Sequence, residues 1–521
     1  MLRTDRVESA IQLNRDELFR FGTALIFIVG IMLFTIVRTD GGVDGVLLVI
    51  AAMIGGYMAM NIGANDVANN VGPAVGSAAI TLTGAIIIAA SFEAGGALIA
   101  GGDVVGTIKK GIIDPDLIAN RDTFIWLMIA ALLAAAVWLN FATAVGAPVS
   151  TTHSIVGGVL GAGIAAGGWN IADWNQVGMI AASWVISPLL GGIIAALFLY
   201  VIKRTITYKS DVLAAANSMV PVLVSLMAWA FGTYLMLKGV KKLIEVNFAT
   251  AVLIGFVIAA IVYLIMRPLI ARATNDLDNH KSSVNDLFTI PLVFAAALLS
   301  FAHGANDVAN AVGPLAGINE AIVGGAVTSK AAIPIWVMAV GAVGIALGLA
   351  LYGPKLIRTV GSEITELDKM RAFCIAMAAA ITVIVASQLG LPVSSTHIAV
   401  GGVFGVGFLR EYIKSSYART LQDIREHHAE SDPDEVDAFL SRFEEADVAT
   451  KGAMLRAMKQ QAAGTKLLAK RERRGLGQVH RIELVKRTLL LKIAAAWVIT
   501  VPVAAGLAAM FFFMIRGIML P

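Results

Sequence analysis

Long apolar stretches separated by short charged connectors set the pattern of this chain. Phe21–Val37, Phe124–Ala144, Met179–Ile202, Ala251–Met266 and Ile493–Met514 are the clearest, and the second is broken only by Asn140 and Thr143. Crossing the hydrocarbon core takes roughly 20 apolar residues of helix. The pattern therefore predicts an all-α integral membrane protein with about ten to thirteen spanning or half-spanning segments. The first apolar run follows Arg3, Asp5, Arg6, Glu8, Arg15, Asp16, Glu17 and Arg20. A cleaved signal peptide lacks so acidic and extended an opening, so this run is read as a retained membrane helix.

The polar positions carry a second pattern, an internal repeat. Gly63-Ala-Asn-Asp-Val-Ala-Asn-Asn-Val-Gly-Pro-Ala-Val-Gly76 returns 241 residues later as Gly304-Ala-Asn-Asp-Val-Ala-Asn-Ala-Val-Gly-Pro-Leu-Ala-Gly317. Pro148-Val-Ser-Thr-Thr-His-Ser-Ile-Val-Gly-Gly158 returns 244 residues later as Pro392-Val-Ser-Ser-Thr-His-Ile-Ala-Val-Gly-Gly402. Two motifs keeping step over so long a period mark duplication of a multi-helix unit. Gly/Pro-interrupted segments at matching places in two halves point to a transporter binding site. The expected organisation is an N-terminal segment with the first helix over 1–44, repeat 1 over 45–168 and central helices over 169–285. Repeat 2 follows over 286–410, a soluble helical insertion over 411–487, and a last membrane helix over 488–521. Within the insertion, Ser431-Asp-Pro-Asp-Glu435 is a helix-start signal. Val436, Phe439, Leu440 and Phe443 follow at helical spacing. Its basic residues, Lys466 to Arg487, place it on the cytoplasmic side.

Composition sharpens this. Hydrophobic residues make up 58% of the 521 and charged residues 15%, with mean hydropathy +0.79. The charged share of an average soluble protein is about 25%. The 51 glycines follow no collagen-like period and suit close helix contact. A single cysteine, Cys374, rules out a disulfide framework. The net charge of +4 comes mainly from loops between apolar runs, so membrane orientation explains it and no nucleic-acid partner is expected.

Chemistry enters through the repeated motifs. Asp66 and Asp307 lie within or beside apolar runs with Asn65, Asn69, Asn306 and Asn310. An aspartate at membrane depth is costly unless paired, hydrated or bound to a cation. Asp66 and Asn69, three apart, share a helix face, so each motif offers hard oxygens suited to Na⁺ or, through protonation, to H⁺. In the second motif, proline followed by hydroxyl residues reads as a helix start, whose free N–H groups and positive dipole end suit an anion. Ser150, Thr151, Thr152, Ser394, Ser395 and Thr396 add hydroxyl donors. His153 and His397 read as packing or hydrogen-bonding groups rather than metal ligands. Neither motif contains Arg or Lys, so two aspartates beside anion donors require a cation as well. Glu93, an acid in an otherwise apolar stretch, is a further coupling candidate.

With these residues the chain resembles the inorganic phosphate transporter (PiT) family. The resemblance covers roughly 45–168 and 286–410 and extends through Ser91-Phe-Glu-Ala-Gly-Gly96 and Lys109-Lys-Gly-Ile-Ile-Asp114. It implies inverted-topology repeats with broken or re-entrant helical hairpins and phosphate held between two hairpin tips. It also implies coupling to sodium or protons. On that basis Ser150, Thr151, Thr152, Ser394, Ser395 and Thr396 are assigned to phosphate, together with Asn65 and Asn306. Asp66, Asn69, Asp307 and Asn310 are assigned to Na⁺. Glu93 matches the first-half glutamate important in animal relatives, whereas their second-half glutamate falls at Ala376.

The expected function is import of inorganic phosphate by symport with Na⁺ through alternating access, in a multi-pass protein of the cell membrane. Proton-coupled transport of phosphate or metal–phosphate, or of sulfate, stands as the alternative. The expected partners are phosphate, Na⁺ or H⁺ and the lipid bilayer, and the architecture is compatible with a homodimer. No cofactor is expected beyond the co-transported ion. The chain carries no Walker motif, no HExxH and no nucleophile with a recognisable base partner, so an enzyme is not expected.

Overall fold

The structure is a computed structural model that describes residues 4–144, 149–239, 246–324, 333–363, 367–428, 438, 440–442 and 487–520. The described residues are almost wholly helical. Helices α1 (Thr4–Ile36), α2 (Gly42–Asn65), α3 (Val67–Gly76), α4 (Leu82–Ala100) and α5 (Gly102–Gly106) come first. Then follow α6 (Arg121–Ala144), α7 (Thr151–Gly167) and α8 (Trp174–Ile202). The middle of the chain forms α9 (Val212–Lys238), α10 (Phe248–Thr274) and α11 (Lys281–Leu287). The second half gives α12 (Thr289–Gly324), α13 (Ile335–Glu363), α14 (Lys369–Gln388), α15 (Ser395–His428) and α16 (Arg487–Met519). Their starts are set by capping side chains: Thr81, Asp173, Asp211, Asn247 and Asp368 each accept a bond from a backbone N–H three residues on.

Among the described residues, eleven helical stretches are long and apolar enough to cross a membrane. α7, at 17 residues, is shorter than a span, as a half-membrane segment should be. α6 pairs with α7, and α14 with α15, as two hairpins. If each hairpin enters and leaves on one side, the crossings from α2 up to α12 are α2–α3, α4, α8, α9 and α10. That odd number gives the two halves opposite orientations. α12 lies at the centre of the molecule and is almost wholly buried, whereas α1 and α10 leave most of their apolar surface exposed.

The repeats interlock. α2 packs on α13 and α12 on α4, at contacts so close that only glycine fits. A Cβ on Gly63 would lie 1.9 Å from the Ile345 carbonyl oxygen, and one on Gly304 would lie 2.2 Å from that of Glu93. The partner glycines Gly348 and Gly96 meet the carbonyls of Met60 and Phe301, themselves 241 residues apart. Ile345 is therefore the packing counterpart of Glu93. A second exchange joins α7 to α16 and α15 to α8. Gly157 and Gly161 abut the carbonyls of Val501 and Ala505, while Gly401 and Gly405 abut those of Pro188 and Gly192. The correspondence thus reaches α8 and α16, whose matching residues are 313 apart rather than 244. The extra length is divided between α15, which is longer than α7, and the stretch that separates α15 from α16.

The two copies of the Asn-Asp motif differ in their helices. The first copy is interrupted at Asp66, where the Asn69 N–H bonds the Asp66 carbonyl at 3.0 Å and the Asn69 side chain bonds the same oxygen at 3.1 Å. That tight turn replaces a regular α-helical bond. The second copy continues unbroken through Asp307. α15 runs past residue 410 to His428 without interruption. The expected helix start at Ser431–Glu435, the positions Val436, Phe439 and Phe443, and the basic run from Lys466 to Lys486 lie outside the described residues. Leu440 is described and buried.

Candidate functional site

The site begins at the N-termini of α7 and α15. Ser150 accepts a bond from the His153 N–H at 3.2 Å, and Ser394 accepts one from the His397 N–H at 3.3 Å. These caps start both helices at the same point of the motif; Pro148 lies outside the described residues, and Pro392 precedes the second tip. The tips touch, because the Thr152 hydroxyl donates to the Val393 carbonyl at 3.0 Å.

The Asn-Asp motifs surround this meeting point. Asp66 accepts from Thr151 at 2.6 Å and from Thr396 at 3.2 Å, one hydroxyl from each tip. Asp307 accepts from Ser395 at 3.2 Å. The two outer asparagines reach across the repeats. Asn69 donates to Thr396 at 2.9 Å, and Asn310 donates to Thr151 and Thr152 at 3.2 Å each. The inner asparagines hold the hairpins from behind, Asn65 bonding Thr143 on α6 and Asn306 bonding Ser387 on α14, both at 2.9 Å. Thr143 and Ser387 are 244 residues apart, so these bonds obey the repeat. All thirteen residues singled out from the sequence are buried. Asp66, Asn69, Asn310, Thr151, Thr152 and Thr396 share one hydrogen-bonded network, Ser395 pairs with Asp307, and Ser150, Ser394, Asn65 and Asn306 brace the helices around it.

The thirteenth, Glu93, enters through a residue the sequence reading passed over. His303 Nδ1 lies 2.7 Å from Glu93 Oε2, and its Nε2 lies 2.7 Å from Asp307 Oδ2, one helical turn on. Asn70 donates to Glu93 Oε1 at 2.7 Å. Glu93 and His303 are 0% exposed and Asp307 is 1%, so neither lipid nor bulk water compensates these groups. Asp66, His303 and Asp307 bring one ligand atom each within 4.8 Å of one another. Asn65 Oδ1, Asp307 Oδ1 and Asn310 Oδ1 are buried acceptors without a hydrogen-bond partner among the described residues. Unpaired buried acceptors of this kind suit a cation, since each is costly when left alone.

Behind the tips the two motif histidines form an aromatic column. Trp184 and His153 have ring centroids 3.8 Å apart, His153 and His397 4.5 Å, and His397 and Trp497 3.6 Å. The column places both imidazoles in packing roles.

A family model described as the phosphate transporter family matches residues 62–508. The chain belongs to that family. Over 513 residues this transporter is 52% identical to a Helicobacter pylori (strain J99) protein named "Putative phosphate permease", covering 96% of each chain. A Pyrococcus furiosus relative of the same description is 40% identical over 382 residues, which are 73% of this chain and 91% of the relative. A solved structure, "The sodium-dependent phosphate transporter", is similar with a TM-score of 0.74 at 30% identity, over 91% of this chain and 100% of that one. The protein is thus a multi-pass membrane transporter of the phosphate class and not an enzyme.

His303 could have been found from the sequence by comparing what differs between the copies instead of what they share. It stands where the first copy has Ile62, and a histidine beside an aspartate in an apolar run is a polar residue needing a partner. Trp184 and Trp497 escape notice because their separation is not that of the motifs.

Proposed function

We propose that this transporter imports inorganic phosphate by symport with Na⁺, holding phosphate between the tips of the two hairpins and exposing it to each side in turn. The observation that carries the reading is the pair of bonds from Thr151 and Thr396 to Asp66. A single carboxylate in the cluster touches hydroxyls from both tips. Phosphate entering between the helix N-termini takes the hydroxyl and N–H donors, and a cation takes the carboxylates, cancelling their repulsion of the anion. The tips meet directly at Thr152 and Val393, so admitting phosphate requires them to part, and rocking of one half against the other supplies that motion. HPO₄²⁻ can donate its proton to a buried acceptor and sulfate cannot, which favours phosphate at a site built with aspartates. Sodium coupling draws support from the sodium-dependent structural neighbour.

The test is radiolabelled phosphate uptake by purified protein in proteoliposomes. The expected result is accumulation under an inward Na⁺ gradient, none under K⁺, and weak competition by sulfate. Accumulation driven by a proton gradient alone overturns the sodium reading, and equal uptake of sulfate overturns the substrate.

A further inference from the structure

We infer that His303 is a positioning residue: steadied by Glu93 and Asn70, it fixes the Asp307 carboxylate and makes the two aspartate half-sites unequal. The Asp307 half is then formed before phosphate arrives, and the Asp66 half is completed by the closing tips. The inference rests on the cation-coupled reading above and concerns the same site.

The duplicated elements differ in polarity at three linked places. His303 replaces Ile62, Asn70 faces Ala311 in the other copy, and Glu93 has Ile345 as its packing counterpart. All three polar residues stand in one chain, Asn70–Glu93–His303–Asp307, with successive contacts of 2.7 Å. Each would be costly at membrane depth alone, so they are needed as a set. The chain runs through α3, α4 and α12, and the last two meet backbone to backbone at Gly304 and Gly96. Nothing in it belongs to a tip. Asp66, in contrast, has hydroxyls from both tips and no such support: its turn carries Ile62 where Asp307 has His303. When the tips part, Asp66 loses its partners while Asp307 keeps His303.

Pre-organisation of a site raises affinity by removing the cost of ordering it, so two cation affinities are expected. The test measures Na⁺ activation of phosphate uptake in proteoliposomes for wild type, His303→Ile, His303→Gln and Asn70→Ala, with thermal stability of each protein alongside. Losing the 2.7 Å contact between His303 Nε2 and the Asp307 carboxylate is expected to raise the half-saturating Na⁺ of His303→Ile about tenfold or more. Gln, which can still donate to Asp307, should recover most of this, and Asn70→Ala should shift it about twofold to threefold. The phosphate KM at saturating Na⁺ should move less than either. A lower maximal rate with unchanged Na⁺ dependence in His303→Ile means a merely structural role and overturns the inference. If His303→Ile supports no uptake, ²²Na⁺ binding to the purified protein decides, and wild-type binding overturns it. If that variant does not fold, an unchanged Na⁺ dependence in Asn70→Ala overturns it instead. Wild-type uptake without any Na⁺ dependence removes the symport reading itself and this inference with it.

Discussion

The two halves of the molecule agree closely where they face each other across the tips and diverge in the scaffold behind. Asn69 reaches Thr396 as Asn310 reaches Thr152, and Asn65 grips Thr143 as Asn306 grips Ser387. Behind the tips the symmetry fails: one aspartate interrupts its helix and the other does not, and one is wired to a buried histidine. A single small ligand held between two tips needs donors from both sides, which keeps those positions alike. The scaffold has only to bury its polar groups with partners, and it does so differently in each half.

The largest effect is expected where the halves agree and charge is involved. Asp66→Asn and Asp307→Asn should each abolish Na⁺-driven phosphate accumulation, a loss of about 100-fold or more if a cation ligand is removed from a buried site. Both proteins should still insert and purify as folded, monodisperse species. Near-wild-type uptake in either variant breaks the equivalence of the two motifs at the step that matters most.

Thr152→Ala and Thr396→Ala test the cross-repeat bonds. Each removes a hydroxyl that an asparagine of the opposite half reaches, and Thr396→Ala also removes a donor to Asp66. The phosphate KM should rise about fivefold to tenfold in both, as for loss of one hydrogen bond in a buried polar network. Thr396→Ala should alter the Na⁺ dependence as well. Equal Na⁺ curves for the two variants would show that the bond to Asp66 is idle.

Gly63→Ala and Gly304→Ala act on packing alone. A methyl group at either position would overlap a carbonyl oxygen of the other half, at Ile345 or Glu93. Overpacking of this kind costs about 1–3 kcal/mol, so both variants should lower the melting temperature in detergent by similar amounts. Gly304→Ala should also weaken Na⁺ activation, because the strained carbonyl belongs to Glu93, and Gly63→Ala should not.

The sequence disclosed whatever is short, polar and repeated. The Asn-Asp and Ser/Thr motifs stand out because polar residues are few in apolar runs, and their step of 241 to 244 residues announces a duplication. Those residues did converge into one cluster. Glu93 was visible as an isolated acid, but its partner His303 lies 210 residues away in the other half and has no repeat mate to draw attention. The interruption at Asp66 without one at Asp307 was hidden because both copies carry the same Asp-Val-Ala-Asn and the same proline downstream. The pairing of α8 with α16 was masked by the longer α15 and the stretch that follows it, which together shift the register to 313.

The tryptophans of the aromatic column give the smallest and most discriminating effect. Trp184 and Trp497 occupy matching places on α8 and α16 and cover opposite ends of the His153–His397 pair. Trp184 Nε1 donates to the Pro392 carbonyl at 3.2 Å, at the tip of the second hairpin, while Trp497 Nε1 is buried without a hydrogen-bond partner among the described residues. Phenylalanine keeps much of the ring packing and removes only the N–H. Trp184→Phe leaves a carbonyl at the tip unpaired and should cost about 1 kcal/mol, whereas Trp497→Phe removes a polar group that had no partner and should be neutral or slightly stabilising. Melting curves of the two purified variants measure the difference, and its sign carries the argument. If both fall equally, the loss of ring area governs the column and the bond to Pro392 contributes nothing. If Trp184→Phe alone falls, α8 holds the second tip more firmly than α16 holds the first, and the first hairpin is the one free to open.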